Sequence, residues 1–459
     1  MKTIIITAFF VSFSLGLSSQ TIRGVVLNEE NKQVITNVHV YINEKIGAIS
    51  NEKGKFELRL SDEDSNSQFV HISHVAFNTK KINLQRIVNK KDVVIYLKPL
   101  INTLDETLIG HKRKLKSRLK YEELRPMNKP LYAFASVLID DEIYVVGGNN
   151  SFDLDRVRLA NRNTSEKYRK PTLLNFLQEL REVSFSQENY SDLMMIYDIN
   201  KNIWKVSDKE FRARTSHSIH AYKDDMYILG GDRKSKYGEI KYLDHVIEVY
   251  NRDSNTISHD FTNPHQAVNF ASIQYGNYII TVGGIEKINK NGSKRYSDAM
   301  HLYNLETGRW YELGKLPNPR EVKGLLLNNK IYLVGGRNRL LLNTIESFDL
   351  DTGKWEVEGK LFNRIARPGL ASHKNTIYIF NNSKLLTYNT ETDVLNEYSV
   401  NLQIQSPELF FHKGKLYIIG GYIEKSYSTI ASQGVYSIDL NQLSKTKIRR
   451  SKNLKWEEK

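Results

Sequence analysis

No cysteine occurs anywhere in the 459 residues. Disulfides, thiol nucleophiles and a lipid-anchor cysteine are therefore excluded together, while the redox compartment stays open, because a large β-rich core needs no covalent staple. Proline is scarce, nine residues against twenty-six tyrosines and eighteen phenylalanines, a balance that favours strands over disordered chain. Zinc-helix, nucleophile-elbow and phosphate-loop motifs are also missing, and no cofactor or metal is expected. One apolar run, Ile4 to Leu17, follows Lys2 and leads into Ser18, Ser19 and Gln20, which is the layout of a secretory signal. It is shorter than the ~20 residues of a spanning helix. Residues 1–19 are expected to be removed on export, and no second run of spanning length follows.

Positive charge is plentiful: Lys and Arg number 66 against 52 Asp and Glu, a net +14. Such a balance would suit nucleic acid, but export argues against that partner, and an anionic membrane surface or an acidic ligand fits better. Much of the charge simply keeps the surface soluble. The length leads us to expect two or three domains.

Residues 20–100 alternate strand patterns (TIRGVVL, VHVYIN, FELRL, FVHISHVAF, VVIYL) with turn signals such as Asn51-Glu52-Lys53-Gly54. The spacing of Gly47, Ser50, Asn51, Gly54 and Phe56, followed by Ile72 to Phe77, resembles the carboxypeptidase-regulatory-like β-sandwich. Ala76 stands where that family commonly has glycine. Leu104-Asp105-Glu106-Thr107 is similar to the segment that follows such domains in outer-membrane receptors of Bacteroidetes-type bacteria, which implies a cell-envelope setting. His71 and His74 lie three apart on a strand, point to opposite faces and are ordinary strand residues. Residues 101–118 are expected to be a basic linker; the run HKRKLKSRLK (111–120) offers peripheral contact with anionic lipid as an alternative to a solvated spacer.

The remainder is written in repeats. EIYVVGG (142–148), MYILGG (226–231), YIITVGG (278–284), IYLVGG (331–336), IYIFNN (377–382) and LYIIGG (416–421) are six copies of one motif, each preceded and followed by further apolar strands. Trp204, Trp310 and Trp355 follow in three copies. Four strands per unit reads as a propeller blade. The glycine pair, the tyrosine and the spaced tryptophan resemble kelch repeats, so residues 119–447 are expected to form a six-bladed kelch propeller and 448–459 a basic tail. The fold class is thus all-β, a small sandwich and a propeller with one short helical insertion. Counting back 26 residues from Gly147 lands on Tyr121, so residues 119–125 are expected to supply the last blade's outer strand; Lys445 to Ser451 is the alternative. The missing cysteine rules out the Cys–Tyr radical chemistry of oxidase-type kelch propellers.

In an antiparallel meander the entry to the first strand and the end of the second share one rim. On that rim the sequence places Arg214, Arg320 and Arg367 at first-strand entries and Arg233 and Arg337 just past glycine pairs. These five form an expected binding site for carboxylate or sulfate. His217 is read as structural. The insertion 149–189 falls on the same rim, and LLNFLQELREV (173–183) has helical apolar spacing after Pro171 and Thr172.

The leading expectation is a non-enzymatic exported protein of the periplasm or outer membrane. Its propeller mouth would recognise an acidic glycan, a peptide or an envelope protein. The resemblance to six-bladed sialate mutarotases implies a rival, an acidic-sugar mutarotase or epimerase with Glu286 or Glu424 as acid or base. A structural assembly module with the insertion helix as its interface is the third reading.

Overall fold

The computed structural model describes residues 20–42, 47–60, 68–74, 76–88, 90–99, 115–183, 189–235, 240–289 and 293–456. The expected signal segment 1–19, Leu104–Thr107 and the first residues of the basic run lie outside them. The chain divides into two compact units, Met1–Lys112 and Arg113–Lys459.

In the first unit, strict alternation along Thr21–Asn28, Lys55–Arg59 and Val93–Leu97 turns Ile22, Val26, Phe56, Leu58, Ile95 and Leu97 to one side. Thr21–Asn28 is the middle strand, antiparallel to Lys55–Arg59 and parallel to Val93–Leu97. A second sheet, ordered Gly47–Ile49, His39–Tyr41, Phe69–His74, Phe77–Asn83, closes the sandwich with Val40, Val70 and Ile72 in the same core. The stretch FVHISHVAF belongs to two antiparallel strands rather than one, Phe69–His74 and Phe77–Asn83, whose pairing shifts register between Ile72 and His74. Ser50 and Asn51 are held by their side chains. Buried Ser50 Oγ accepts from the Val38 amide and donates to the Ile35 carbonyl, both at 2.9 Å. Asn51 Oδ1 accepts from the amides of Lys53 and Lys55, and Gly54 completes the turn at φ +68°.

The second unit is built of six antiparallel meanders. Blade 1 is Ala135–Ile139, Glu142–Val146, Met194–Asp198 and Ile203–Val206. Blade 2 is Ser218–Tyr222, Asp225–Leu229, Ile247–Asn251 and Thr256–Asp260. Blade 3 is Ala271–Tyr275, Tyr278–Val282, Ala299–Asn304 and Arg309–Lys315. Blade 4 is Glu321–Leu327, Lys330–Asn338, Leu340–Asp349 and Lys354–Ile365. Blade 5 begins with Gly369–His373, Thr376–Asn381, Lys384–Asn389 and Val394–Ser399. Blade 6 is Glu408–His412, Lys415–Ile419, Val435–Asp439 and Glu122–Glu123. A single cavity lined by Ser136, His220, Ser272, Lys323, Leu370 and Glu408, one residue from each first strand, shows that the blades form a ring around a channel. The tryptophans pack on the aromatic of the strand beside them: Trp204 on Tyr197, Trp310 on Tyr303 and Trp355 on Phe348, at 4.6–5.0 Å between ring centroids. At the glycine pairs a side chain has no room. A Cβ on Gly231, whose φ is +83°, would lie 2.4 Å from the Thr215 carbonyl oxygen.

Both ends of the unit are stitched into the ring. Glu122–Glu123 pairs with Tyr436 and Ser437 as the outer strand of blade 6, and Tyr121 sits edge-on to Tyr436. Lys116, inside the segment expected to be a linker, donates its amide to the Lys445 carbonyl. The expected basic tail is corrected. Arg450–Asn453 is a fifth strand on blade 5, antiparallel to Val394–Ser399. It forms there because buried Glu397 takes the guanidinium of Arg450, and Leu454, 2% exposed, packs over Gly359.

Histidine burial gives the propeller an acid-sensitive stability. Burial pushes His220 down to about 4 and His265 to about 3, and holds His217 and His301 below the usual range. Each folded-state pKa is depressed, so the unfolded chain takes up protons first. Stability is full above pH ~6.5 and is lost as the pH falls toward 4. For His220 alone the loss by pH 5 is about 2 kcal/mol. Melting temperatures taken from pH 7.5 to 4.5 should therefore drop, and His220→Gln should flatten part of the slope; a level profile would refute the assignment.

Candidate mouth site

The structure separates the five arginines. Arg214 is wholly buried, with Nη2 2.5 Å from Glu248 Oε2, Nη1 donating to the Val246 carbonyl at 3.0 Å and Nε 3.6 Å from Asp244. Burial pulls its pKa down, and the two carboxylates oppose that. Arg320, 1% exposed, pairs in the same way with Glu346 at 2.5 Å. Neither faces a ligand, which corrects the expectation for both. Arg233, a quarter exposed, has Nε 3.9 Å from the buried carboxylate of Asp244, which Arg212 also grips through two hydrogen bonds of 2.9 Å. It therefore belongs to the blade 2 ion network.

Register explains the split. The residue before each glycine pair faces Ser218 in blade 2 and Lys323 in blade 4, and in blade 5 Phe380, before Asn381-Asn382, faces Gly369. Arg214 and Arg320 precede those partners by four and three residues, within reach of a glutamate on the third strand of their own blade. Arg367 precedes its partner by only two, and the corresponding third-strand residue of blade 5 is Leu386. It turns to the mouth instead, where Nη1 donates to Asn269 Oδ1 at 2.7 Å.

Arg337 and Arg367 do come together. With Arg364 and Lys294 they line a cavity of ≈ 170 Å³ whose other polar walls include Asn269, Glu321, Asn381, Gln405, Ser406 and Tyr422. Glu321 is the single carboxylate of that lining; it is buried, lies 3.6 Å from Arg337 Nε and accepts from Asn269 Nδ2 at 2.9 Å. Among the described residues no acidic side chain ion-pairs with Lys294, Arg364 or Arg367. Four cations thus line one cavity with a single carboxylate, which Arg337 and Asn269 already engage. Sequence reasoning missed Lys294, which lies on the blade 3 hairpin, and Arg364, at the end of blade 4's long outer strand, because neither occupies a recurrent repeat position. Arg367, Asn269 and Ser406 also border the channel, where Lys323 of blade 4 pairs with Glu408 of blade 6 at 2.5 Å. His217 lies on the channel wall, buried against Gly147.

The two glutamates considered as acid or base are elsewhere. Glu286 pairs with Arg295 at 2.6 Å on the blade 3 hairpin, and Glu424 accepts from Gln405 beyond the basic cavity. Among the described residues no group of three or more His, Cys, Asp or Glu is placed to hold a metal, and no helix is long and apolar enough to cross a membrane.

The insertion is pinned to the same rim: Phe152–Leu154 pairs with Ser428–Ile430 on the blade 6 hairpin. It carries two helices rather than the one expected, α1 (Arg156–Lys167) and α2 (Leu173–Glu182). Thr172 caps α2 with a reciprocal box to Asn175. Buried Glu179 of α2 receives Lys167 of α1 at 2.9 Å, while Leu173, Leu174 and Leu177 remain exposed.

Residues 22–109 match the model of the CarboxypepD_reg-like domain family, and residues 183–382 match that of the KLHDC2/KLHL20/DRC7 Kelch-repeats domain. The chain thus carries a carboxypeptidase-regulatory-like domain followed by a kelch-repeat domain. Curated relatives include Kelch repeat and BTB domain-containing protein 1 of horsepox virus and of vaccinia virus (strain Copenhagen), each 24% identical over 290 residues. Each match covers 57% of this chain and 49% of the viral protein, so the chain spans about half the length of the relatives it matches. Among solved structures, one titled "Structure of YjhT" aligns with a TM-score of 0.51 and 11% identity over 67% of this chain and 95% of that one, a likeness of fold alone.

Proposed function

We propose that this kelch propeller is the recognition part of an exported envelope protein and binds an acidic ligand in its mouth. One observation carries the reading: Lys294, Arg337, Arg364 and Arg367 converge on one cavity that holds a single carboxylate, Glu321. Cations gathered at that density gain from an anion bridging them, and guanidiniums suit carboxylate or sulfate by paired hydrogen bonds. Export rests on the apolar run at residues 4–17, and a periplasmic or outer-membrane setting rests on the envelope-type sandwich domain.

Calorimetry with acidic sugars and acidic peptides tests it. Arg364→Ala should weaken binding by about 1.5–3 kcal/mol, the range for a hydrogen bond to a charged group, and salt should weaken the wild type. Arg309→Ala, on the outer strand of blade 3, should bind as wild type does. Equal affinities for the three proteins, or no acidic ligand bound at all, would end the proposal.

A second reading, acidic-sugar mutarotation or epimerisation, is favoured by the presence of Glu321 among the cations, since a carboxylate beside the bound sugar can serve as general acid or base. Exchange spectroscopy on sugar anomers separates it from simple binding: acceleration abolished by Glu321→Gln would establish it. Kelch propellers generally mediate protein–protein contacts, and the exposed leucines of α2 keep a protein partner as the third reading.

A further inference from the structure

The rim around the basic cavity has a gap, and blade 5 makes it. In blades 2, 3 and 6 a separate hairpin rises past the glycine pair: Asp232–Lys234 with Lys241–Leu243, Ile285–Ile288 with Lys294–Tyr296, and Tyr422–Glu424 with Ser428–Ala431. Blade 4 extends its own second and third strands to a turn at Arg339, and blade 1 carries the insertion. Blade 5 has none of this. Asn381 pairs directly with Lys384 across the two-residue turn Asn382-Ser383, both at positive φ, the common short connection of a hairpin. The Asn-Asn that replaces the glycine pair is therefore the start of a truncated rim.

Over that low point runs a trough of ≈ 710 Å³, bounded by the blade 5 turn, the blade 6 hairpin and Arg158 of α1. It continues from the basic cavity, because Gln405 lines both and the neighbours Asn381 and Asn382 border one each. The lining differs from that of the cavity. Asn382, Ser383, Gln403, Gln405 and Ser426 offer donors and acceptors beside the charged Arg158, Glu424 and Lys425, the Tyr427 ring lies under Arg158 and Arg162, and no aliphatic side chain takes part. Amides and hydroxyls spaced along a shallow channel match the hydroxyls of sugar units; a peptide would need pockets for its side chains.

We propose that the mouth binds the charged end of an acidic oligosaccharide, with the following neutral sugars laid in the trough over blade 5. This rests on the acidic-ligand reading of the basic cavity and names the ligand class. The mouth is then built for a chain rather than a free monosaccharide, and the blade 6 hairpin and α1 form its outer wall.

Calorimetry on the full mature chain decides it, with glucuronate, galacturonate and N-acetylneuraminate each supplied free and as the non-reducing end of a neutral-tailed trisaccharide. At least one trisaccharide should bind about tenfold or more tighter than its free acid, a difference of about 1.4 kcal/mol. Gln403→Ala and Tyr427→Ala, checked for unchanged melting, should bring the trisaccharide to the affinity of the free acid without altering the latter. Arg364→Ala should weaken both forms. Equal affinity of trisaccharide and free acid would overturn the trough while leaving the basic cavity its function. Failure of every acidic sugar and peptide would overturn both, and tighter binding of an acidic peptide than of any trisaccharide would overturn the glycan assignment.

Discussion

Replacing Glu248 with alanine is expected to destabilise the propeller by about 3–5 kcal/mol, the cost of leaving a buried charge without its partner. Arg214 has no exposed surface, and its other contacts, the carbonyls of Val246, Ile228 and Gly230 and the more distant Asp244, cannot replace a carboxylate at 2.5 Å. Glu346→Ala should act in the same way on Arg320 in blade 4. The pair is not in itself a large source of stability, because two charges had to leave water to form it. Replacing both Arg214 and Glu248 with apolar residues of similar volume should therefore recover much of the loss. Denaturant melts of the two single variants and the double variant measure these terms. A loss below 1 kcal/mol for Glu248→Ala would mean that Arg214 reaches water, and would return it to the set of mouth residues.

Truncation should give the second large effect. Removing residues 1–112 deletes the sandwich unit and leaves the ring's own hydrogen bonds intact. Removing 1–128 also takes Glu122–Glu123, together with Leu119 and Met127, which are each 2% exposed. Burial of two such side chains contributes about 3–6 kcal/mol, before counting the backbone of Val435–Asp439 left unpaired along an open edge. A fall in melting temperature on the order of 10 °C, with aggregation through that edge, is expected relative to the shorter deletion. Differential scanning calorimetry of the two proteins is the measurement, and coincident transitions would contradict the observed closure. Removing residues 448–459 should cost a comparable amount: it strips only a fifth strand from a blade that already has four, but it leaves buried Glu397 without Arg449 and Arg450 and takes away buried Leu454.

The parts of the fold legible in the chain are those written locally. Six copies of one motif, five of them ending in a glycine pair and each with an apolar strand on either side, define strand order within a blade without any long-range information, because a meander pairs neighbours in sequence. Residues 173–183 show their helix through apolar spacing and the Thr172 cap. Helix α1 was not legible; its burial is confined to Ala160 and Thr164, so no apolar stripe marks it, and its start depends on the Asp155 cap.

What only the tertiary structure decided depends on register and on contacts between distant segments. Five arginines look alike on a rim drawn from sequence. Whether a guanidinium faces the cavity or the core turns on a displacement of one or two residues and on whether the third strand of its blade carries a glutamate, as at Glu248 and Glu346, or an aliphatic residue, as at Leu386. Arg364 and Lys294 join the cavity from outside the repeat positions, because the ends of four different blades meet there in space alone. The two terminal segments both looked able to close the ring. Pairing across more than three hundred residues gave Glu122–Glu123 to blade 6, and the buried carboxylate of Glu397 drew Arg450–Asn453 onto blade 5. Local chemistry determined how many blades there are and what each is made of; long-range packing determined which charges were buried and which were left to line the basic cavity.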